Sequence, residues 1–396
     1  VFTVTNQFTV EAAKTRRADC VVFVNGIPLV VIEAKSPVSS KDKAGEAFDQ
    51  IKQYEQEVPR LFYSNLFNLI TNGYSVLYGA TGSPSDYWAE WRDPHPKTQA
   101  DFRDKFELGL WALLEPSRLL NILAHFVVFE VDEKSGRQIK KVCRYQQFRA
   151  VNKIVERILE NRKTGERKGL IWHTQGSANS LTIAYTVHPH QLPLHISSDY
   201  LASTNILIIT DRIDLDDQIS KTFIACGLPN PVQAKSATEF FKLINAGTTG
   251  QTILSTIYKL DKSSTAIKDS KNWIVCVDEA HRTQEQDLGA YLRATFPDAY
   301  FFGFTGTPVQ SNNHDTYATF SPNGEFYLDK YGIDDAVADG ATVPIHYTAR
   351  KAEWALEAEK LDILFDKEFA NEDHKNREKN NKSGVSNDLL AKKKTR

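Results

Sequence analysis

A chain of 396 residues with 41% hydrophobic and 25% charged side chains holds apolar material for about two to four packed domains, which excludes a disordered polar tail. Its 48 Lys plus Arg against 50 Asp plus Glu leave a formal charge of −2, so nucleic-acid contact would have to come from local basic patches. No run approaches the roughly 18–20 apolar residues of a membrane span, Val1–Arg17 lacks the regions of a signal peptide, and a soluble, cytoplasmic protein is expected.

Cys20, Cys143, Cys226 and Cys276 form no Cys-x-x-Cys pair, and buried free thiols in a reducing cytosol are expected rather than a zinc site. No methionine occurs and the first residue is Val, so the chain is expected to be incomplete and every spacing is taken as a minimum. The predicted elements begin with two β-rich runs, Cys20–Val24 and Leu29–Glu33, joined by Asn25-Gly26-Ile27-Pro28. That is a hairpin signal, because Asn-Gly supplies the positive φ of a tight turn. Ala44–Glu57 reads as a helix with Ala47, Ile51 and Tyr54 on one face. Asn68–Ile70 and Ser75–Tyr78 flank Asn72-Gly73 as a second hairpin, and Gly79–Lys97 is rich in turn residues. Leu108–Phe126 is helical with a break at Pro116. The polar stretch Glu133–Lys141 is a candidate boundary. Beyond it, apolar runs recur at Leu170–His173, Ile206–Thr210, Thr252–Leu254, Trp273–Val277 and Tyr300–Phe304. Their helix-length spacers indicate a parallel sheet covered on both faces. The tail Asn371–Arg396, rich in Lys and Asn, is expected to be mobile.

Asp19 opens the first strand, and Glu33 and Lys35 close the second in Ile32-Glu33-Ala34-Lys35. Alternate strand residues share a face, so Glu33 and Lys35 are expected beside Leu29 and Val31, with Val30 and Ile32 opposite. The hairpin returns Asp19 alongside them. A charge trio at the end of a strand that is apolar on both faces is costly unless something binds there. Asp19 and Glu33 can hold Mg²⁺, which polarises a phosphoryl oxygen and acidifies a bound water. Lys35 can position that water and neutralise charge growing on the phosphate. Taken alone, Glu-x-Lys is also the pattern of a solvated surface pair. Gln50 and Tyr54 stand four apart on the predicted helix, which by itself also fits a polar face with one packed tyrosine.

A second constellation, Asp278-Glu279-Ala280-His281, follows the strand Trp273–Val277. Carboxylates at the C-terminal end of a parallel strand face the ligand crevice. There Asp278 can hold Mg²⁺ and Glu279 can orient an attacking water, while His281 can equally be a packed histidine. Thr305-Gly306-Thr307-Pro308 follows the next strand. Upstream, Leu170–His173 enters Thr174-Gln175-Gly176-Ser177-Ala178-Asn179-Ser180 and a helix from Leu181. A Gly-rich turn there can cradle the phosphates of ATP with backbone N–H groups, with Ser180 on Mg²⁺. The turn departs from the phosphate-loop pattern, since Ala178-Asn179 stands where Gly-Lys belongs. A hydrogen bond to a charged group contributes about 1.5–3 kcal/mol, so ATP binding is expected to weaken roughly tenfold to a hundredfold. Turnover is expected to suffer more, because the missing charge also stabilises the transferring phosphoryl group. Gln147, in Arg144-Tyr145-Gln146-Gln147, can read adenine edges, although the motif alone carries little.

Asp19, Glu33-Ala34-Lys35 and Gln50-x-x-x-Tyr54 resemble the PD-(D/E)xK nuclease core with the Gln-x-x-x-Tyr element of its helicase-linked branch. Together with Arg144-Tyr145-Gln146-Gln147, Ile171–Ser177, Val277–Arg282, Phe302–Pro308 and Asp339–Ile345, the series resembles the restriction (R, HsdR-type) subunit of type I restriction–modification enzymes over most of residues 1–350. The resemblance implies an α/β architecture: a PD-(D/E)xK nuclease domain (mixed sheet with helices) over 1–135, a first RecA-like lobe over 136–345, and the start of a second lobe or a mobile tail over 346–396. It implies ATP-driven translocation of double-stranded DNA, Mg²⁺-dependent cleavage away from the recognition site, and methylation (M) and specificity (S) partner subunits. It gives Gln50 and Tyr54 a part in positioning DNA, and Thr305 and Thr307 a part in coupling nucleotide state to DNA. No Gln-x-x-Gly-Arg-x-x-Arg run follows Thr307, so an N-terminal fragment without an arginine finger is expected. Two other readings stand beside it: a stand-alone superfamily 2 helicase–nuclease, and a catalytically silent DNA-binding scaffold motivated by Ala178-Asn179.

Overall fold

The computed structural model describes residues 1–344 apart from 13, 38–42, 132–135, 161–164, 176–178, 188–203, 212–218, 225–230, 260–265, 268–269, 282–287 and 311–314. The expectations for Cys226, for Gly176, Ser177 and Ala178, and for the segment after residue 345 lie outside the described residues. Among the described residues, no helix is long and apolar enough to cross a membrane.

The first sheet runs β1 (Phe2–Val10), β2 (Arg16–Val24), β3 (Ile27–Ala34), β4 (Phe67–Thr71), β5 (Val76–Gly79) and β6 (Ala89–Glu90), in that spatial order. The Asn25-Gly26 turn forms as its residues require, with φ of 51° and 81°. All neighbours are antiparallel except β3 and β4, which α1 (Lys43–Glu57) joins as a parallel crossover. The sheet is therefore mixed and covered on both faces. Val21, Val31 and Ile70 pack on Ala47, Ile51 and Tyr54 of α1. Val22, Val30, Ile32 and Leu69 pack toward α2 (Lys105–Leu114) and α3 (Pro116–His125). Pro116 breaks the helical run by opening α3, where its missing N–H costs nothing. Leu29 corrects the expected alternation. The register shifts at Val22/Phe23, and Leu29 joins Val30 in the α2–α3 core rather than Val31.

The polar stretch expected to mark a boundary is partly a hairpin strand. There β7 (Val127–Val131) pairs with β8 (Gln138–Val142), so the expected division at 135/136 falls between two paired strands. Cross-strand pairing holds this ribbon, and Val128 anchors it in the core with Val127 and Val142 beside it. After α4 (Tyr145–Glu160), a second sheet collects β9 (Lys168–His173), β10 (Asn205–Thr210), β11 (Val232–Gln233), β12 (Thr252–Thr256), β13 (Trp273–Val277), β14 (Tyr300–Thr305) and β15 (Asp329–Tyr331). Their order is β11-β12-β10-β13-β14-β9-β15 and every pair is parallel. Ile154 and Ile158 of α4 and Ile183 of α5 (Asn179–Val187) cover one face, against Ile206, Ile208 and Phe302. Phe240, Leu292 and Phe296 cover the other, against Leu207, Val275 and Phe301. This is the expected fold class, a nuclease-type mixed sheet followed by a RecA-like α/β lobe. The five apolar runs became its five central strands, while the short edge strands β11 and β15 carried no such signal.

One apolar core spans both sheets. Trp91 meets Phe148 of α4 at 5.2 Å between ring centroids, and Phe126 meets Tyr185 of α5 at 5.5 Å. Tyr78 donates from its hydroxyl to the Cys143 carbonyl at 2.9 Å. Cys143 and Cys276 are buried free thiols as expected, whereas Cys20 is half-buried.

Candidate functional site

Val21 pairs with Val31 in the antiparallel register, which carries Asp19 opposite Glu33 at the open end of the hairpin. Asp19 Oδ2 accepts the Ala34 backbone N–H at 2.9 Å, and Asp19 Oδ1 accepts from Gln7 Nε2 at 3.2 Å. Glu33 is 1% exposed. Its Oε1 accepts from Lys35 Nζ at 2.9 Å, while its buried Oε2 has no partner. Burial pushes the Glu33 carboxyl up to about 7. The Lys35 ammonium opposes that rise, and the charge of Asp19 reinforces it. Lys35 also donates to Gln50 Oε1, Gln50 Nε2 donates to the Tyr54 hydroxyl, and that hydroxyl donates to the Arg17 carbonyl at 2.9 Å.

All five residues singled out in this region therefore converge in one hydrogen-bonded series. Tyr54 is 3% exposed and lies in the core between α1 and the sheet. Its position on the apolar face of α1 makes it a brace for β2. Gln50 holds the Lys35 ammonium. Among the described residues, no group of three or more His, Cys, Asp or Glu side chains is arranged to hold a metal ion by itself. A cation here would thus have two carboxylates, the lean protein ligand set that Mg²⁺ accepts alongside water and phosphate oxygens. The residues fit such an ion, since it would give the orphaned Glu33 Oε2 a partner and offset the penalty of two adjoining carboxylates.

The C-terminal ends of β13, β14 and β9 lie side by side in the second sheet. Asp278 follows β13, 6% exposed, and burial pushes its carboxyl up to about 7, with the charges of Glu279 and Asp211 adding to the rise. The Glu279 N–H donates to Asp278 Oδ1 at 3.0 Å. Glu279 itself sits at φ 49°, a left-handed conformation that costs a non-glycine residue about 1–3 kcal/mol and is met at functional sites. The His281 Nδ1 lies 2.9 Å from Thr305 Oγ1 and 3.4 Å from the Glu279 carboxylate. The Thr307 N–H donates to the same Thr305 oxygen at 3.1 Å. His281 is thus the link between the two motifs.

Gly306 explains the close approach of that turn to the end of β9. A Cβ there would fall 2.9 Å from the Gln175 backbone N and 3.2 Å from the His173 carbonyl. Trp172 Nε1 donates to the Gly306 carbonyl at 3.2 Å, and the Thr174 N–H donates to the Tyr331 carbonyl at 2.9 Å. Asn179 opens α5 and Ser180 follows in its first turn. Gln147 is 3% exposed, and its Oε1 accepts the Arg144 N–H at 2.9 Å. That hydrogen bond caps the start of α4 through one of the two lone pairs of the amide oxygen.

Two residues were missed in the sequence. Gln7 lies on the exposed edge strand β1. Asp329 is 1% exposed and gathers Arg149 Nε at 2.6 Å, Arg149 Nη2 at 3.0 Å, Lys153 Nζ at 3.0 Å and His173 Nε2 at 2.7 Å. Arg149 Nη1 also reaches Asp93 at 3.0 Å, which ties the segment after β6 to β15 through Asp329.

Two family descriptions match the chain: type I restriction enzyme R protein N terminus over residues 1–87, and SWI2/SNF2 ATPase over residues 146–379. The HindI type I restriction enzyme endonuclease subunit of Haemophilus influenzae is 31% identical over 373 residues, covering 87% of this chain and 34% of that one. A Methanocaldococcus jannaschii chain named for the endonuclease subunit of MjaIXP is 30% identical, covering 92% and 36%. The chain thus spans about a third of the length of these relatives. Among solved structures, the ATP-dependent type ISP restriction–modification enzyme LlaBIII bound to DNA aligns at 13% identity and a TM-score of 0.36, covering 85% of this chain and 23% of that one.

Proposed function

This chain belongs to the SWI2/SNF2 ATPase family and, through its first 87 residues, to the R proteins of type I restriction enzymes; on that premise we propose that it cuts duplex DNA and carries the first lobe of the ATP-driven motor that moves it. In this reading residues 1–135 are the nuclease and 136–345 the lobe. Asp19 and Glu33 hold Mg²⁺, which supplies Lewis-acid polarisation of the scissile phosphate. Lys35, steered by Gln50, orients the attacking water and neutralises charge gathering on phosphate oxygens. Gln50 and Tyr54 fix that geometry from α1. The observation that carries the reading is the buried Glu33 with an unpartnered oxygen, set between Asp19 and Lys35. The test is nicking of supercoiled plasmid in Mg²⁺, lost in Lys35→Ala. Absence of cleavage even when the chain is assembled with M and S subunits refutes it.

In the lobe, Gly176–Ser180 take the phosphates of ATP, Ser180 and Asp278 hold its Mg²⁺, Glu279 orients the attacking water, and Thr305 and Thr307, through His281, pass nucleotide state toward DNA. Asn179 in the place of a lysine favours weak nucleotide binding and impaired hydrolysis. Ala178→Gly with Asn179→Lys should tighten ATP binding by roughly tenfold to a hundredfold in titration calorimetry; tight binding by the parent chain sinks that expectation. DNA translocation, M and S partners and a cytoplasmic site of action belong to the same proposal. Co-purification with a methyltransferase complex separates it from a stand-alone helicase–nuclease.

A further inference from the structure

The backbone of β1 leaves the β region at one residue. Gln7 has φ 51°, while its neighbours keep their register, Asn6 against Cys20 and Phe8 against Ala18. Gln7 therefore stands opposite Asp19. Left-handed backbone inside a strand is unfavourable for any residue with a Cβ, and glycine or asparagine is the usual occupant. Here the strained residue is a glutamine, and its amide Nε2 donates to Asp19 Oδ1 at 3.2 Å. The other Asp19 oxygen accepts the Ala34 N–H. Both carboxylate oxygens are thus oriented by donors from the strands on either side, β1 and β3, beside the buried Glu33.

We propose that Gln7 is a positioning residue of the divalent-cation site, using a strained backbone to aim a neutral amide that fixes the Asp19 carboxylate. This rests on the nuclease reading given above. The chemistry favours an amide over the alternatives. A lysine or arginine would bring a charge that competes with the cation, and a carboxylate would add a third negative group. A neutral donor orients the ligand and leaves the site's charge unchanged. The competing explanation is a kink in an edge strand that needs only a residue tolerant of positive φ.

Gln7→Gly separates the two, because glycine adopts this backbone freely and has no amide. Mn²⁺ alone is titrated calorimetrically into the whole chain, with thermal unfolding followed in parallel without metal. The proposal expects Gln7→Gly to unfold at or above the parent temperature while binding Mn²⁺ about tenfold more weakly, as for loss of an outer hydrogen bond to a metal ligand. Gln7→Ala should lose the same affinity and also unfold earlier. Parent-like Mn²⁺ affinity in Gln7→Gly overturns the proposal, as does weakening in Gln7→Ala alone. Glu33→Ala is the control. Parent binding that Glu33→Ala does not remove refutes the nuclease reading itself, a result distinct from intact, Glu33-dependent binding that ignores Gln7.

Discussion

Replacing Asp329 by asparagine removes the anion at the centre of the cluster that joins α4, β9 and β15. The Asp329 carboxylate is fully buried and receives Arg149, Lys153 and His173. Taking one partner from a buried ion pair costs about 3–5 kcal/mol, because the remaining charge stays desolvated. Two features place Asp329→Asn at the lower end, about 3 kcal/mol. Arg149 keeps Asp93 at 3.0 Å, and the Lys153 side chain is 26% exposed and can turn to water. The assay is urea unfolding at neutral pH with the slope checked for constancy. Adding Arg149→Met should restore part of the loss, giving a coupling energy between the two sites. A loss below about 1 kcal/mol, the range of exposed pairs, would refute the reasoning. The pH dependence has a fixed sign. Burial alone would push the Asp329 carboxyl up, but the hydrogen bond from His173 and the Arg149 charge hold it well below its ordinary value of 3.8. Its contribution is complete above that value and lost as pH falls below it, so parent and variant should converge in acid.

Glu33 titrates with the opposite sign. With its carboxyl pushed up from 4.5 to about 7, the folded chain keeps a proton that the unfolded chain has lost. Metal-free stability should therefore fall as pH rises from 4.5 to 7, and Glu33→Gln should flatten that decline. Because the proton must leave, Mn²⁺ affinity should rise about tenfold between pH 6 and pH 8; a flat calorimetric profile would contradict this. Asp278→Asn removes a buried charge that Glu279 and Asp211 oppose. It should raise the unfolding temperature of the nucleotide-free chain while abolishing any stabilisation by Mg²⁺–ATP; a lower unfolding temperature would count against it. Gly306→Ala forces a Cβ against the Gln175 backbone and should cost about 1–3 kcal/mol in urea unfolding, whereas an unchanged midpoint would show that the turn can withdraw.

Much of this molecule was legible along the chain because its signals are local. Asn25-Gly26 had to turn, Pro116 had to start a helix, and the uninterrupted apolar runs at Ile206–Thr210 and Trp273–Val277 had to be strands buried on both faces. The convergence of Asp19, Glu33 and Lys35 was readable too, because strand alternation puts Glu33 and Lys35 on one face and a two-residue turn carries Asp19 back. Neither period nor turn chemistry speaks of what lies across a sheet. That β3 pairs parallel with β4, that Tyr54 is buried between α1 and the sheet, and that the polar run of β8 is a strand at all was decided by packing and cross-strand hydrogen bonds. The same holds for His173 and Asp329, 156 positions apart. Desolvated polar groups find each other only once the core around them closes, and no local pattern records which of them that closure will bring together.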